Sequence, residues 1–307
     1  MSELVSKTAF IPNDRSVRSK QVLSQFLMFV GPALLFFSVF FFYPLVNSII
    51  ISFHEWNGIS NRREFIGLGN YVRLLSDDGF RQTVGVTIIF ATTYVVTVNV
   101  LAFSYALVLD PQRIVGSKIH RALVFMPNAI SLVIVAFIWR AMFSRVIPEI
   151  GEFLGLEFLM ISWFRDQGPA LATIIISFVW QTVGYYMTIY FAGLQMIGSE
   201  YYESADMDGA NGWTKLTRIT IPLMMQTFTV TFFLSTATAF KVFSVVFAMT
   251  QGGPGGSTET MAVNVYFEAF QASNFGYASA KAIFLLLCVM LVSFAQVRYT
   301  KRREVEL

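Results

Sequence analysis

Charge is scarce in this chain: Asp, Glu, Lys and Arg make up 13% of its 307 residues, against roughly 25% in an average soluble domain. Length alone would allow one or two soluble domains, but a soluble surface needs more charge than this. Cysteine is nearly absent as well, and the single Cys288 excludes an internal disulfide. The two histidines, His54 and His120, lie far apart, which argues against a metal site built on the usual ligand count. With so few His and Cys residues, no Ser/His/Asp or Cys/His set is suggested. The phosphate-cradling pattern G-x-x-x-x-G-K-[ST] does not occur. Gly116-Ser117-Lys118 lacks its spacing, and Gly252-Gly253-Pro254-Gly255-Gly256 has no Lys-Ser or Lys-Thr after it. The chain is therefore not expected to be an enzyme or to hydrolyse ATP, and no cofactor is expected in it.

What is abundant is apolar surface. Hydrophobic residues make up 55% of the chain and Phe alone numbers 32, with a mean hydropathy of +0.60. Lipid is the solvent this composition suits. Residues 1–24 form a basic tail with Lys7, Arg15, Arg18 and Lys20, followed by a run uncharged from Gln21 to Phe53. That run lacks the short apolar core and small-residue cleavage site of a signal peptide and reads as an uncleaved first span. The expected spans are 25–52, 82–109, 121–142, 168–194, 222–249 and 277–298, within one membrane domain at 25–299, with a tail at 300–307. Stretches such as Leu34–Phe42 are apolar on every face, so helices are expected rather than the alternating strands of a barrel. The fold class is all-α and integral to the membrane.

Orientation follows from Lys and Arg in the loops. With the N-terminus inside, inner segments hold 13 of them and outer segments 7, which favours both termini in the cytoplasm. The same clustering between apolar runs suits membrane topology, not nucleic-acid binding.

The most informative loop is 199–222. Tyr201, Ala205 and Asp208 fall at helical spacing, so 199–208 can form a short polar helix, and Gly209 provides a natural break. Trp213, Leu216 and Thr217 would line one face of a second short helix. Pro222 suits the first turn of the following span, where a missing N–H costs least. Docking to a partner and packing in the membrane interface fit these features equally well.

The pattern Glu-x-Ala-x-x-x-Gly at Glu203, Ala205 and Gly209, with Ile219-Thr220-Ile221-Pro222 beyond it, resembles the EAA motif of binding-protein-dependent ABC importer permeases. The longer string Tyr202–Ala210 is similar to the carbohydrate-uptake subfamily. Tyr43-Pro44, Phe65-Ile66-Gly67-Leu68-Gly69-Asn70-Tyr71, and Thr250-Gln251-Gly252-Gly253-Pro254 with Thr258 extend the likeness from about residue 25 onward. They resemble the first permease subunit of maltose and multiple-sugar importers. Departures are Ser204 for Ala, Leu216 for Phe and Gly198 for Pro.

The resemblance implies a type I ABC importer permease fold with six transmembrane helices, in a bacterial or archaeal cell (inner) membrane. It implies a second, homologous permease subunit, two ATPase subunits that bind ATP-Mg, an extracytoplasmic sugar-binding protein and a sugar as cargo. Loop 199–222 would be the coupling helix that docks on an ATPase. Glu203 and Asp208 would accept hydrogen bonds or salt bridges there, Gly209 would permit close approach, and Ala205 and Ala210 would keep the contact thin. In the maltose relative, sugar contacts cluster in the middle of the fifth span, at positions matching Ser235, Thr238, Ala239 and Val242, and near the Gly-Tyr of the fourth span, here Gly184-Tyr185-Tyr186. Ala239 and Val242 cannot replace amide contacts, so maltose is disfavoured as cargo. Lys241 could hold an anionic sugar or reach a helix carbonyl or carboxylate. Other readings are a permease for a solute such as glycerol phosphate, or a secondary transporter. The absence of Asp and Glu from the six span interiors counts against the secondary transporter.

Overall fold

A computed structural model describes residues 25–109 and 116–303; the expected basic tail at 1–24 and the last residues, 304–307, lie outside it. Two units are distinguished, 1–50 and 51–307. The first contains most of helix α1 (Gly31–Ser52). Pro32 starts it and a π turn, Ser38–Phe42, interrupts it just before Tyr43-Pro44. Proline has no N–H and its ring crowds the carbonyl four residues back; widening the preceding turn relieves both. The same pairing recurs twice, with a π turn at Met142–Val146 before Ile147-Pro148 and another at Leu216–Thr220 before Ile221-Pro222.

The second unit opens with a two-stranded hairpin, β1 (His54–Glu55) and β2 (Glu64–Phe65), in antiparallel register. Helices α2 (Gly69–Ser76) and α3 (Asp78–Val108) follow. Next come α4 (Ser117–Ala129) and α5 (Leu132–Leu154), bent by 98° to one another. Then come α6 (Gln167–Gln195), α7 (Ser199–Met207), α8 (Gly212–Leu223) and α9 (Met225–Phe240), with 69° between the last two. Helices α10 (Ser244–Met249), α11 (Met261–Tyr266) and α12 (Phe275–Lys301) complete it. Among the described residues, four helices are long and apolar enough to cross a membrane, or six if each bent pair counts as one span.

The core lies where α3 packs along α6, and α9 packs on α12 and α3. Phe90, Tyr94 and Phe178 stack at its centre, with Tyr94 and Phe178 ring centroids 4.6 Å apart. Gly184 allows α6 to approach α4: a Cβ there would lie 2.2 Å from the Val124 carbonyl oxygen.

Two expected spans are broken. The segment read as 121–142 contains the Pro127 turn, where Ile130 and Ser131 are extended and the helix restarts at Leu132. The Gln181 side chain of α6 donates to the freed Ile130 carbonyl at 3.2 Å. The segment read as 222–249 stops at Phe240 and restarts at Ser244. There the Thr260 hydroxyl donates to the Val242 carbonyl at 2.9 Å. At each break a side chain thus partners a freed carbonyl, as backbone groups in an apolar surrounding require.

A candidate coupling loop and membrane path

Helix α7 is short because its C-terminus is closed by a Schellman motif. Gly209 adopts φ +71°, the Ala210 N–H donates to the Ala205 carbonyl at 2.9 Å and the Gly209 N–H to Asp206 at 3.0 Å. Glycine takes this left-handed conformation without the clash a Cβ incurs. Asn211 then caps α8, its side-chain oxygen accepting from the Thr214 N–H at 2.9 Å and the Thr214 hydroxyl at 3.0 Å. A salt bridge from Lys215 to Asp206 ties α8 to α7, and the Tyr202 and Thr220 hydroxyls meet at 3.0 Å. The loop is thus a fixed two-helix unit.

Its surface is divided. Ala205 is buried. Glu203, Asp208 and Gly209 are exposed and Ala210 is half-buried. Met207 and Trp213 are 89% and 73% exposed. Among the described residues, Glu203 and Asp208 make no ion pair; the acid that does is Asp206. Pro222 is not in the first turn of the following span. It sits at the end of α8, where the π turn absorbs its missing N–H, and the chain bends beyond it at Met224.

The expected membrane-path residues separate into two groups. Ser235, Ala239 and Val242 are buried within the chain's own core, as is Tyr186. Thr238 and Tyr94 are the polar neighbours of the Tyr186 hydroxyl. Tyr185, edge-on to Tyr186 at 5.2 Å, remains 39% exposed. Thr238 is half-buried and Lys241 is exposed at the C-cap of α9, where a cation is favoured by the helix dipole.

Ser235 belongs to a polar chain that the sequence reading missed. The Asn99 amide donates to the Ser235 hydroxyl at 2.9 Å, the Tyr190 hydroxyl donates to the Asn99 oxygen at 2.7 Å, and Thr231 meets Tyr190 at 2.7 Å. This chain joins α3, α6 and α9. A lone Asn in an apolar run is the signal that could have revealed it.

A second network escaped notice because its members are scattered. Lys281 of α12, 2% exposed, donates to Glu268 at 2.7 Å and lies 3.8 Å from Asp77. Tyr277 donates to Asp77 at 2.7 Å, and Arg73 covers the Tyr277 ring at 4.0 Å while standing 3.8 Å from Glu268. Two cations and two carboxylates are thereby balanced. Partial burial pushes the Asp77 carboxyl up, but the Phe80 amide, the Tyr277 hydroxyl and the Lys281 charge together hold it below its ordinary value.

The structure thus joins a polar two-helix loop to an apolar bundle with two interrupted spans, the architecture of an integral membrane subunit. Residues 113–305 match the model of the binding-protein-dependent transport system inner membrane component, and the chain belongs to that family. It is 32% identical to the probable starch degradation products transport system permease protein AmyD of Thermoanaerobacterium thermosulfurigenes, over 91% of this chain and 95% of that one. It is 31% identical to the multiple sugar-binding transport system permease protein MsmF of Streptococcus mutans, over 87% and 92%. Its fold matches a chain of the bacterial alginate ABC transporter solved with an alginate pentasaccharide-bound periplasmic protein, with TM-score 0.79 and 20% identity over 93% and 96%. The chain is a multi-pass inner-membrane permease subunit, with ATP hydrolysis the task of a separate subunit.

Proposed function

We propose that this permease carries a sugar or oligosaccharide and that α7 transmits the motion of an ATPase to it. The observation that carries the coupling role is the outward presentation of α7. Its apolar Ala205 faces inward, while Glu203, Asp208, Met207 and the Gly209 turn are left for another chain. The two carboxylates are free to accept charge-assisted hydrogen bonds. Ala210 and the bare Gly209 keep the contact surface thin, and Pro222 ends the rigid α8 that leads into the bend. Movement of α7 would therefore reach α9 through the Asp206–Lys215 tie and α8.

The partners this reading requires are a second, homologous permease, two ATPase subunits with ATP-Mg, and an extracytoplasmic sugar-binding protein. Both termini would lie in the cytoplasm. Sugar as cargo is supported by relatives named for starch degradation products and multiple sugars. Tyr185, Thr238 and Lys241 are the path residues with accessible surface. Tyr186, Ser235, Ala239 and Val242 would meet cargo only after the helices shift.

Purification of the tagged chain from native membranes, followed by reconstitution with its cognate binding protein, tests this reading. An ATPase and a second permease are expected to copurify. ATP-driven uptake is expected for at least one of maltotriose, lactose and trehalose, and not for glycerol 3-phosphate. Purification without an ATPase, or ATP-driven uptake of glycerol 3-phosphate alone, would overturn it.

A further inference from the structure

Six aromatic rings form an unbroken series between the break in the fifth span and the β1–β2 hairpin. Phe243, which precedes α10, and Phe247 of α10 stack at 5.3 Å. Both touch Tyr266 of α11, at 5.4 and 5.2 Å. Tyr266 leads to Phe270 at 5.0 Å, Phe270 to Phe275 at 5.4 Å, and Phe275 to Trp56 at 5.7 Å. The Arg63 guanidinium closes the series, 4.3 Å above the Trp56 ring.

This series differs from the aromatic core. Phe90 and Tyr94 are fully buried between α3 and α6. By contrast, Phe270 is 64% exposed and the other five rings are half-buried. Phe270 therefore presents most of its surface, and the other five rings present part of theirs. The series begins two residues after Lys241, which is exposed within a predicted span. An ammonium beside a span cannot face hydrocarbon at low cost, so the break at 241–243 is expected to open toward water or protein. Such a surface, apolar on the ring faces yet carrying the Tyr266 hydroxyl and a cation at each end, is a poor match for lipid tails. It does match a pyranose ring, which offers a C–H face to an aromatic ring and hydroxyls at its rim.

We infer that these rings form a stacking track that receives sugar units one after another and leads them from the hairpin to the break in the fifth span. This inference rests on the sugar-importer reading above. It adds binding residues outside the fourth- and fifth-span positions considered from the sequence. Successive rings at nearly equal spacing let a saccharide advance by exchanging one stacking partner for the next.

The test uses the complete reconstituted importer with saturating, sugar-loaded binding protein and the saccharide it transports from the set above. Initial ATP-driven uptake is measured per assembled complex. Phe270→Leu and Tyr266→Leu keep apolar volume but remove the ring. Each is expected to lower uptake about fivefold, the scale of one aromatic contact. Phe270→Trp is expected to keep uptake within about twofold of the unaltered protein, because it restores a ring face. A site that only packs against another subunit or lipid would accept Leu, so unchanged uptake in the Leu variants would overturn the track. So would a Phe270→Leu chain that no longer assembles, since the ring would then be a packing element. If the unaltered complex imports none of the sugars, the importer reading itself falls. If it imports one and the Leu variants match it, only the track falls.

Discussion

Removal of the Lys281 ammonium is expected to be among the most damaging single changes in this chain. Lys281 is 2% exposed and stands 2.7 Å from Glu268 and 3.8 Å from Asp77. Truncation to Ala leaves Glu268, itself only 15% exposed, with Arg73 at 3.8 Å as its remaining cation. Breaking a buried pair by deleting one partner costs about 3–5 kcal/mol, most of it from the uncompensated charge left behind. Arg73 is 56% exposed, so Arg73→Ala removes a solvent-screened pair worth about 0–1 kcal/mol and a ring contact worth about 0.5–1 kcal/mol. Thermal unfolding of the purified protein in detergent reads the difference. At about 2–4 °C per kcal/mol for domains of comparable size, Lys281→Ala should lower Tm by on the order of 10 °C, several times the effect of Arg73→Ala. The paired change Lys281→Met with Glu268→Met removes both buried charges and should recover at least half of the loss. Equal Tm losses for Lys281→Ala and Arg73→Ala, or no recovery in the pair, would refute the reasoning.

Two further outcomes follow from the same structure. The Asp77 carboxyl is held below its ordinary value of 3.8, so the stability it contributes is present above that pH and is lost as pH falls through the lowered value; the Tm gap between the unaltered protein and Asp77→Asn should be constant from about pH 5 to 8 and shrink below about pH 4, and a gap that widens in acid would contradict this. Gly184→Ala places a Cβ against the backbone of Val124 and Phe125, which cannot yield as a side-chain tip can, so α4 and α6 must separate at about 1–3 kcal/mol; an unchanged Tm would contradict the close approach.

The spans were legible because lipid demands long uncharged runs, and those runs are plain in the sequence. Their interruptions were less so. Pro127 marks one break, but the stop at Lys241–Phe243 contains no proline or glycine, and the carbonyl it frees is held by Thr260, eighteen residues away. Proline is common in a helix's first turn, and that is the position the sequence suggests for Pro222. The fold instead uses a π turn ahead of it, an adjustment that local sequence does not encode separately from an ordinary turn. The short helix at 199–208 and its glycine stop were readable, since a left-handed C′ residue favours glycine for local steric reasons. The ion network was not: Asp77 and Tyr277 are 200 residues apart, and only tertiary packing brings them together. Burial also divided the membrane-path candidates in a way residue type could not, placing Ser235 in a hydrogen-bonded chain with Asn99 and leaving Lys241 exposed.

Gly209→Asp in the reconstituted complex is the sharpest probe of coupling through α7. No atom within 4 Å would meet a Cβ at Gly209 in this chain, and the left-handed backbone there costs a non-glycine residue about 1–2 kcal/mol, which Asp tolerates better than most. Membrane insertion and assembly should therefore persist, and any loss must arise where the α7 turn meets another subunit. ATP hydrolysis should continue while ATP-driven uptake is abolished. Uptake at the unaltered rate, with hydrolysis still matched to it, would contradict a coupling role for this loop.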